Sequence, residues 1–204
     1  MELLETYLQF LRVLTKNIDE HFENQKEYIH CKRGCAHCCK NAEFPCTQLE
    51  FDFLRLGFFR LSLDVQQKIV DNIAKIKTEK ENFKDEKFKY DCPFLIDDVC
   101  SVYDYRMIIC RTFGLAYYKE DPKTGLIVRR APFCMELGLN YGEVYDPETK
   151  MFLQDKFAKT GYKQEPLAYN TSSEFLRERL GKDFLGLEFG EEKALIDWLL
   201  PLVE

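Results

Sequence analysis

Residues 31–39 read Cys31-Lys32-Arg33-Gly34-Cys35-Ala36-His37-Cys38-Cys39, four thiols in nine positions with the spacing C-x3-C-x2-C-C. Packing alone does not ask for four thiols so close together, whereas a thiophilic metal or an iron–sulfur cluster does. A second group follows at Cys92, Cys100, Cys110 and Cys134. Four and four is the count for two tetrahedral thiolate sites, or for one four-cysteine cluster and a further site. Thiolates are soft ligands, so Zn2+ or an iron–sulfur cluster of the [4Fe-4S] type fits, and calcium and magnesium do not. The ninth cysteine, Cys46, follows a proline at the start of a helix and reads as a packing thiol or a spare ligand.

Energetics allow the two groups to meet. Closing the roughly 53-residue loop from Cys39 to Cys92 costs about 3.5 kcal/mol plus a constant, and a structural zinc site returns about 10–16 kcal/mol. Side chains of adjacent residues tend to diverge, so Cys38 and Cys39 are expected to serve two metals or to span one larger cluster. The spacing leaves both open. His37 interrupts the first group and is a candidate to replace a thiolate; His30 flanks it. Arg106 and Arg111 bracket Cys110 and are candidate cofactor-binding residues, either compensating an anionic thiolate centre or clamping a substrate carboxylate.

The chain has 204 residues, 46% apolar, with a formal net charge of −6. That length suits one domain, with a helix over 2–28, a cysteine core over 31–134 and a helical buttress over 135–204. No strongly basic stretch provides a nucleic-acid footprint, and no run of about 18 apolar residues provides a membrane span. The acidic, amphipathic start is unlike a secretory signal, which predicts a cytoplasmic setting with reduced thiols. The odd cysteine count and the adjacent pair also argue against a disulfide framework.

The predicted fold is mainly α with a small β-hairpin, an irregular cysteine-rich core packed by helices. Over 2–28, Leu4, Leu8, Leu11, Ile18 and Phe22 recur at helical spacing, widened by Leu3, Tyr7, Phe10 and Leu14. Such a stripe lies on a core or on a protein partner. Thr47-Gln48-Leu49-Glu50 has the form of a capping box opening a helix that ends near Gly57. Ser62 opens another, with Val65, Ile69, Ile73 and Ile76 on one face, fading into a charged connector over 77–89. Residues 113–118 and 126–129 flank the turn sequence Asp121-Pro122-Lys123-Thr124-Gly125, predicting a hairpin that returns Cys134 toward Cys110. Three more helices are expected: one capped at Asp146-Pro147 and stopping near Gly161, one from Thr171 to Gly181, and one from Glu191 to Leu200.

These motifs resemble those of the CxxCxxCC, or YkgJ-like, family of zinc- or iron-chelating cysteine-cluster domains. The family pattern is a clustered CxxCxxCC, then CPFL, then a C-x-x-Y segment leading to RPxxCR, then a late cysteine. Here Cys31, Cys35, Cys38 and Cys39 supply the cluster, with one extra residue after the first thiol. Cys92-Pro93-Phe94-Leu95 stands intact, Cys100 precedes Tyr103, and Arg106 with Cys110-Arg111 completes the third element. Met107 occupies the proline position, and Cys134 is the eighth thiol. The resemblance covers residues 31–134 and implies metal binding. It extends to the cysteine-rich part of flagellin lysine N-methylases, which implies a protein-lysine N-methyltransferase as an alternative.

Three functions therefore stand open: a metal-cluster protein, a methyltransferase-like enzyme, and a structural zinc module whose N-terminal helix binds a protein. The chain lacks a glycine-rich loop for a methyl donor. The C-x3-C-x2-C spacing is shared with radical SAM enzymes, but the repeated βα units of their barrel are missing. A cysteine nucleophile paired with His21, His30 or His37 is conceivable, though the thiols outnumber that need.

Overall fold

The computed structural model describes residues 2–32, 34–40, 42–84 and 87–203. In chain order the helices are α1 (Glu2–Asn24), α2 (Gln48–Phe58), α3 (Leu63–Glu81), α4 (Ile108–Thr112), α5 (Gln154–Thr160), α6 (Ser173–Phe175), α7 (Asp183–Leu185) and α8 (Leu195–Leu199). The strands are β1 (Pro45–Thr47), β2 (Leu95–Ile96), β3 (Val99–Cys100), β4 (Tyr117–Glu120), β5 (Ile127–Arg130), β6 (Tyr145–Asp146), β7 (Met151–Phe152) and β8 (Glu192–Ala194). They pair antiparallel as β1–β8, β2–β3, β4–β5 and β6–β7. The fold is mainly α with small antiparallel strand pairs, as expected. Among the described residues no helix is long and apolar enough to cross a membrane. The chain divides into two compact units, Met1–Lys32 with Arg111–Leu187, and Arg33–Cys110 with Glu188–Glu204.

In the first unit, α1 buries Tyr7, Phe10, Leu11, Leu14 and Ile18. The buried face is narrower than the predicted stripe: Leu3 and Leu8 are exposed, and the regular helix stops at Asn24 before a 3-10 turn, Lys26–Tyr28. Tyr28 stacks on Tyr141 at 5.3 Å, and its hydroxyl donates to the Gln164 carbonyl. The predicted hairpin is present, with Tyr117 opposite Arg130 and Glu120 opposite Ile127. Its turn is closed by Asp121 Oδ1, which accepts from the Lys123 and Thr124 amides.

Two expected helix starts fail in this unit and its neighbour for a shared reason: local polar partners and strand pairing outcompete helix propensity. Asp146 caps no helix. Its Oδ2 accepts from Thr149 N and Oγ1, closing the β6–β7 turn, and α5 begins only at Gln154, ending at Gly161 with φ 72°. The segment from Glu191 begins as strand β8 on β1, and only its second half, α8, is helical. The helix capped by Ser172 also runs past Gly181, through a π segment Leu176–Lys182, to a left-handed Gly186.

In the second unit one apolar core gathers Phe51 and Leu54 of α2, Ile69, Ile73 and Ile76 of α3, Phe94, Met107, and Leu195, Ile196 and Leu199 of α8. Cys46 is fully buried within β1, and its carbonyl accepts from Trp198 Nε1 at 2.9 Å. The capping box is real. Thr47 Oγ1 accepts from Glu50 N, and Glu50 Oε2 accepts from Thr47 N at 3.1 Å and from Thr47 Oγ1 at 2.7 Å. The other carboxylate oxygen, Oε1, accepts from Ile108 N at 2.9 Å, at the first turn of α4.

Glu50→Ala removes a cap, worth about 1 kcal/mol, and strands a buried amide, worth about 1–3 kcal/mol. Urea unfolding of this variant is expected to show a loss of about 2–4 kcal/mol. A loss under 1 kcal/mol would show that Glu50 does not hold α4.

Candidate metal centre

The second unit carries Cys35, Cys38, Cys39, Cys92, Cys100 and Cys110. Short backbone devices position the segments that carry four of them. Ala42 and Tyr90 form an antiparallel bridge, exchanging two backbone hydrogen bonds at 3.1 Å, and Cys92 N donates to the Cys39 carbonyl at 2.8 Å. The Tyr90 hydroxyl accepts from Ile196 N, fixing this ribbon to the start of α8. From Cys92 the chain enters the β2–β3 hairpin, in which Leu95 faces Cys100. Its two turn residues, Asp97 and Asp98, sit at φ 50° and 60°, the left-handed pair of a type I′ turn. Lys40 pairs with Asp98 at 2.5 Å, tying the turn to the segment that bears Cys39.

The fourth thiol arrives through α2. A 3-10 turn, Tyr103–Tyr105, packs on that helix at Gly57, where an added Cβ would meet the Tyr105 side chain at 2.5–2.7 Å. The approach demands glycine. Arg106 follows, its guanidinium 3.4 Å above the Tyr103 ring, with Nε donating to the Tyr103 carbonyl and Nη1 to the Cys110 carbonyl at 3.4 Å. Cys110 then rides on α4, whose start Glu50 holds.

Electrostatics link four of these thiols: Cys92 feels the charge of Cys110, Cys100 and Cys39, Cys110 that of Cys39 and Cys100, and Cys100 that of Cys39. Burial pushes the Cys92 thiol well up, with the negative charges of Cys110, Cys100 and Cys39 adding to it. Burial and the Cys39 charge raise Cys100, against the pull of Arg106. Cys110 is pushed up to about 12 by burial, then by Cys39 and Cys100, with Arg106 opposing. Cys39 moves the other way, to about 7, because Cys38 hydrogen-bonds its sulfur across 3.9 Å and Arg106 favours the thiolate. Burial only partly offsets this. The set is a group of soft donors whose shared negative charge has one nearby cation, Arg106, among the causes of their shifts.

A groove of about 510 Å3 opens on Cys92, lined also by Lys40, Lys89, Tyr90, Asp91 and Asp98. Its charges are of both signs, unlike a phosphate-binding strip.

Cys31 and Cys134 belong to the first unit. Cys31 is exposed, and its amide and that of His30 both donate to Asn140 Oδ1 at 2.9 Å. Cys134 is buried in a 3-10 turn, Phe133–Leu137. Arg111 is also in the first unit, with Nη1 donating to Thr15 Oγ1 at 3.2 Å. His37 is exposed, His30 pairs with Glu143 at 2.9 Å, and His21 stacks on Tyr169 at 3.8 Å. Cys35 is half-buried within the second unit. Among the described residues no group of three or more His, Cys, Asp or Glu side chains is placed to hold a metal ion.

Sequence reasoning missed Glu50, Asp97, Asp98 and Lys40 as supports of the thiols. The capping box was visible, but its second use, on Ile108, depends on a contact 58 residues away. No family model, no curated protein and no solved structure matches this chain.

In metal-free, reduced protein one thiolate, Cys39, is expected to titrate with a midpoint near 7 by its ultraviolet absorbance. Cys38→Ala and Arg106→Met should each move that midpoint upward, since both remove a group that favours the thiolate. An unchanged midpoint in both variants would contradict the assignment.

Proposed function

We propose that this protein binds a metal centre, an iron–sulfur cluster or a zinc ion, through Cys39, Cys92, Cys100 and Cys110. One observation supports the reading: four thiols separated by up to 71 positions in sequence lie within electrostatic reach of one another, with Arg106 acting on Cys39, Cys100 and Cys110. Leaving several desolvated thiols beside one another has no packing advantage. A cation among them converts mutual repulsion into ligation, because coordination favours the deprotonated form. The donor chemistry fits a thiophilic centre, and the resemblance to the CxxCxxCC family points the same way.

The chain's own residues have definable tasks. The hydrogen bond from Cys92 N to the Cys39 carbonyl and the β2–β3 turn position the segments of three sulfurs, and Glu50 sets the start of the helix that presents the fourth. Arg106 offsets part of the negative charge of a four-thiolate centre, and its hydrogen bond to the Cys110 carbonyl holds that charge in place. A zinc ion in this set would stabilise the unit, whereas an iron–sulfur cluster would add electron transfer. Reduced thiols of this kind suit a cytoplasmic setting. The apolar stripe of α1, the candidate partner surface, is mostly buried, with Leu3 and Leu8 left exposed to meet a protein partner.

Elemental analysis of anaerobically purified full-length protein tests the reading. Metal is expected in the wild type and in Cys46→Ser, and lost by more than half in Cys92→Ser and Cys110→Ser. Protein free of zinc and iron after anaerobic purification and reconstitution overturns it. Because burial and neighbouring charge raise Cys92, Cys100 and Cys110, these thiols carry protons at neutral pH without metal. Zinc uptake should therefore release about three protons per ion, read with an indicator dye in weak buffer, and retention should fall as pH is lowered.

A further inference from the structure

Cys38 adjoins the four-thiol set through Cys39. The 3-10 turn His37–Cys39 leaves both sulfurs half-buried, 3.9 Å apart. We propose that Cys38 and Cys39 are a reversible redox pair, and that closing a disulfide between them withdraws Cys39 from the set and releases its metal. The release rests on the metal-binding reading; the disulfide itself does not.

The chemistry balances with hydrogen peroxide as oxidant. The Cys39 sulfur attacks one peroxide oxygen: an S–O bond forms, the O–O bond breaks, and hydroxide leaves as water with the thiol proton. The Cys38 sulfur then attacks the sulfenic sulfur: the S–S bond forms, the S–O bond breaks, and a second water leaves with the Cys38 proton. Two thiols lose two electrons and two protons, and one peroxide becomes two waters.

The geometry favours a transient bridge over a permanent one. The sulfurs must approach from 3.9 Å to about 2.05 Å. Neighbouring Cα atoms stand about 3.8 Å apart across a trans peptide, short of the roughly 4.4–6.8 Å of ordinary disulfides. The ring so formed is strained, and strained disulfides are the easily reduced, labile kind. An adjacent pair is thus a poor staple and a suitable switch. It also sits at the one ligand whose carbonyl is fastened to Cys92, so the sulfur can leave while the backbone stays anchored.

The test uses zinc-loaded full-length protein treated with hydrogen peroxide, with zinc release followed by a chromogenic chelator. Remaining thiols are then alkylated and peptides analysed by mass spectrometry. The expected result is a peptide carrying Cys38 and Cys39 lighter by two hydrogens, zinc release in step with it, and reversal of both by dithiothreitol. Cys38→Ser should bind zinc normally but release it roughly tenfold more slowly under peroxide. Bound zinc with no such bridge, or equal release from Cys38→Ser, overturns the switch alone. A bridge that forms and reverses in protein that takes up no metal upholds the pair and overturns the metal reading.

Discussion

The carboxylate of Glu50 is buried, and each of its oxygens is committed. One closes the capping box of α2; the other receives the Ile108 amide at the start of α4. A buried charge is tolerable only when hydrogen-bonded, and here the bonds are to two helix N-termini, where backbone dipoles favour a negative charge. The consequence reaches the thiols, because α4 presents Cys110 and the segment before it carries Arg106. The same carboxylate adds to the upward push on the Cys110 thiol. Fold and site share one anchor, so the residue that fixes the fourth sulfur also resists its ionisation.

That resistance is general across the set. Desolvation and like charge both oppose thiolate formation at Cys92, Cys100 and Cys110, while Arg106 and Cys38 favour it at Cys39. One thiol is ready to act as an anion and three are held back. A multivalent cation would resolve the imbalance, which is the premise of the proposed metal centre.

Much of the fold was legible in residue patterns where the deciding interactions are local. The Thr47–Glu50 box, the Ile69, Ile73 and Ile76 face and the Asp121–Gly125 turn all rest on partners within a few positions, and all are present. The patterns failed where distant pairing decided. Glu192–Ala194 has a helical reading alone but meets β1, and Leu195 N donates to the Phe44 carbonyl. Asp146 had two possible uses, and a threonine three residues on took it for a turn. Asp97-Asp98 lacks the glycine that marks most two-residue hairpins, so the turn between Cys92 and Cys100 left no familiar signature. Cysteine spacing showed eight candidate thiols, but nothing in it could reveal that Cys31 and Cys134 fall in one unit and the others in a second.

The β1–β8 pairing has a consequence for synthesis. The chain leaves the second unit after Cys110 and re-enters it at Glu188, and the late segment supplies Leu195, Ile196 and Leu199 to the core against which Cys92, Cys100 and Cys110 pack. On the ribosome those sulfurs emerge long before their covering helix. They wait, uncovered, while some eighty residues of another unit are translated. A nascent chain of this topology exposes its reactive side chains for more than a third of its synthesis, and reducing surroundings would protect it during that interval.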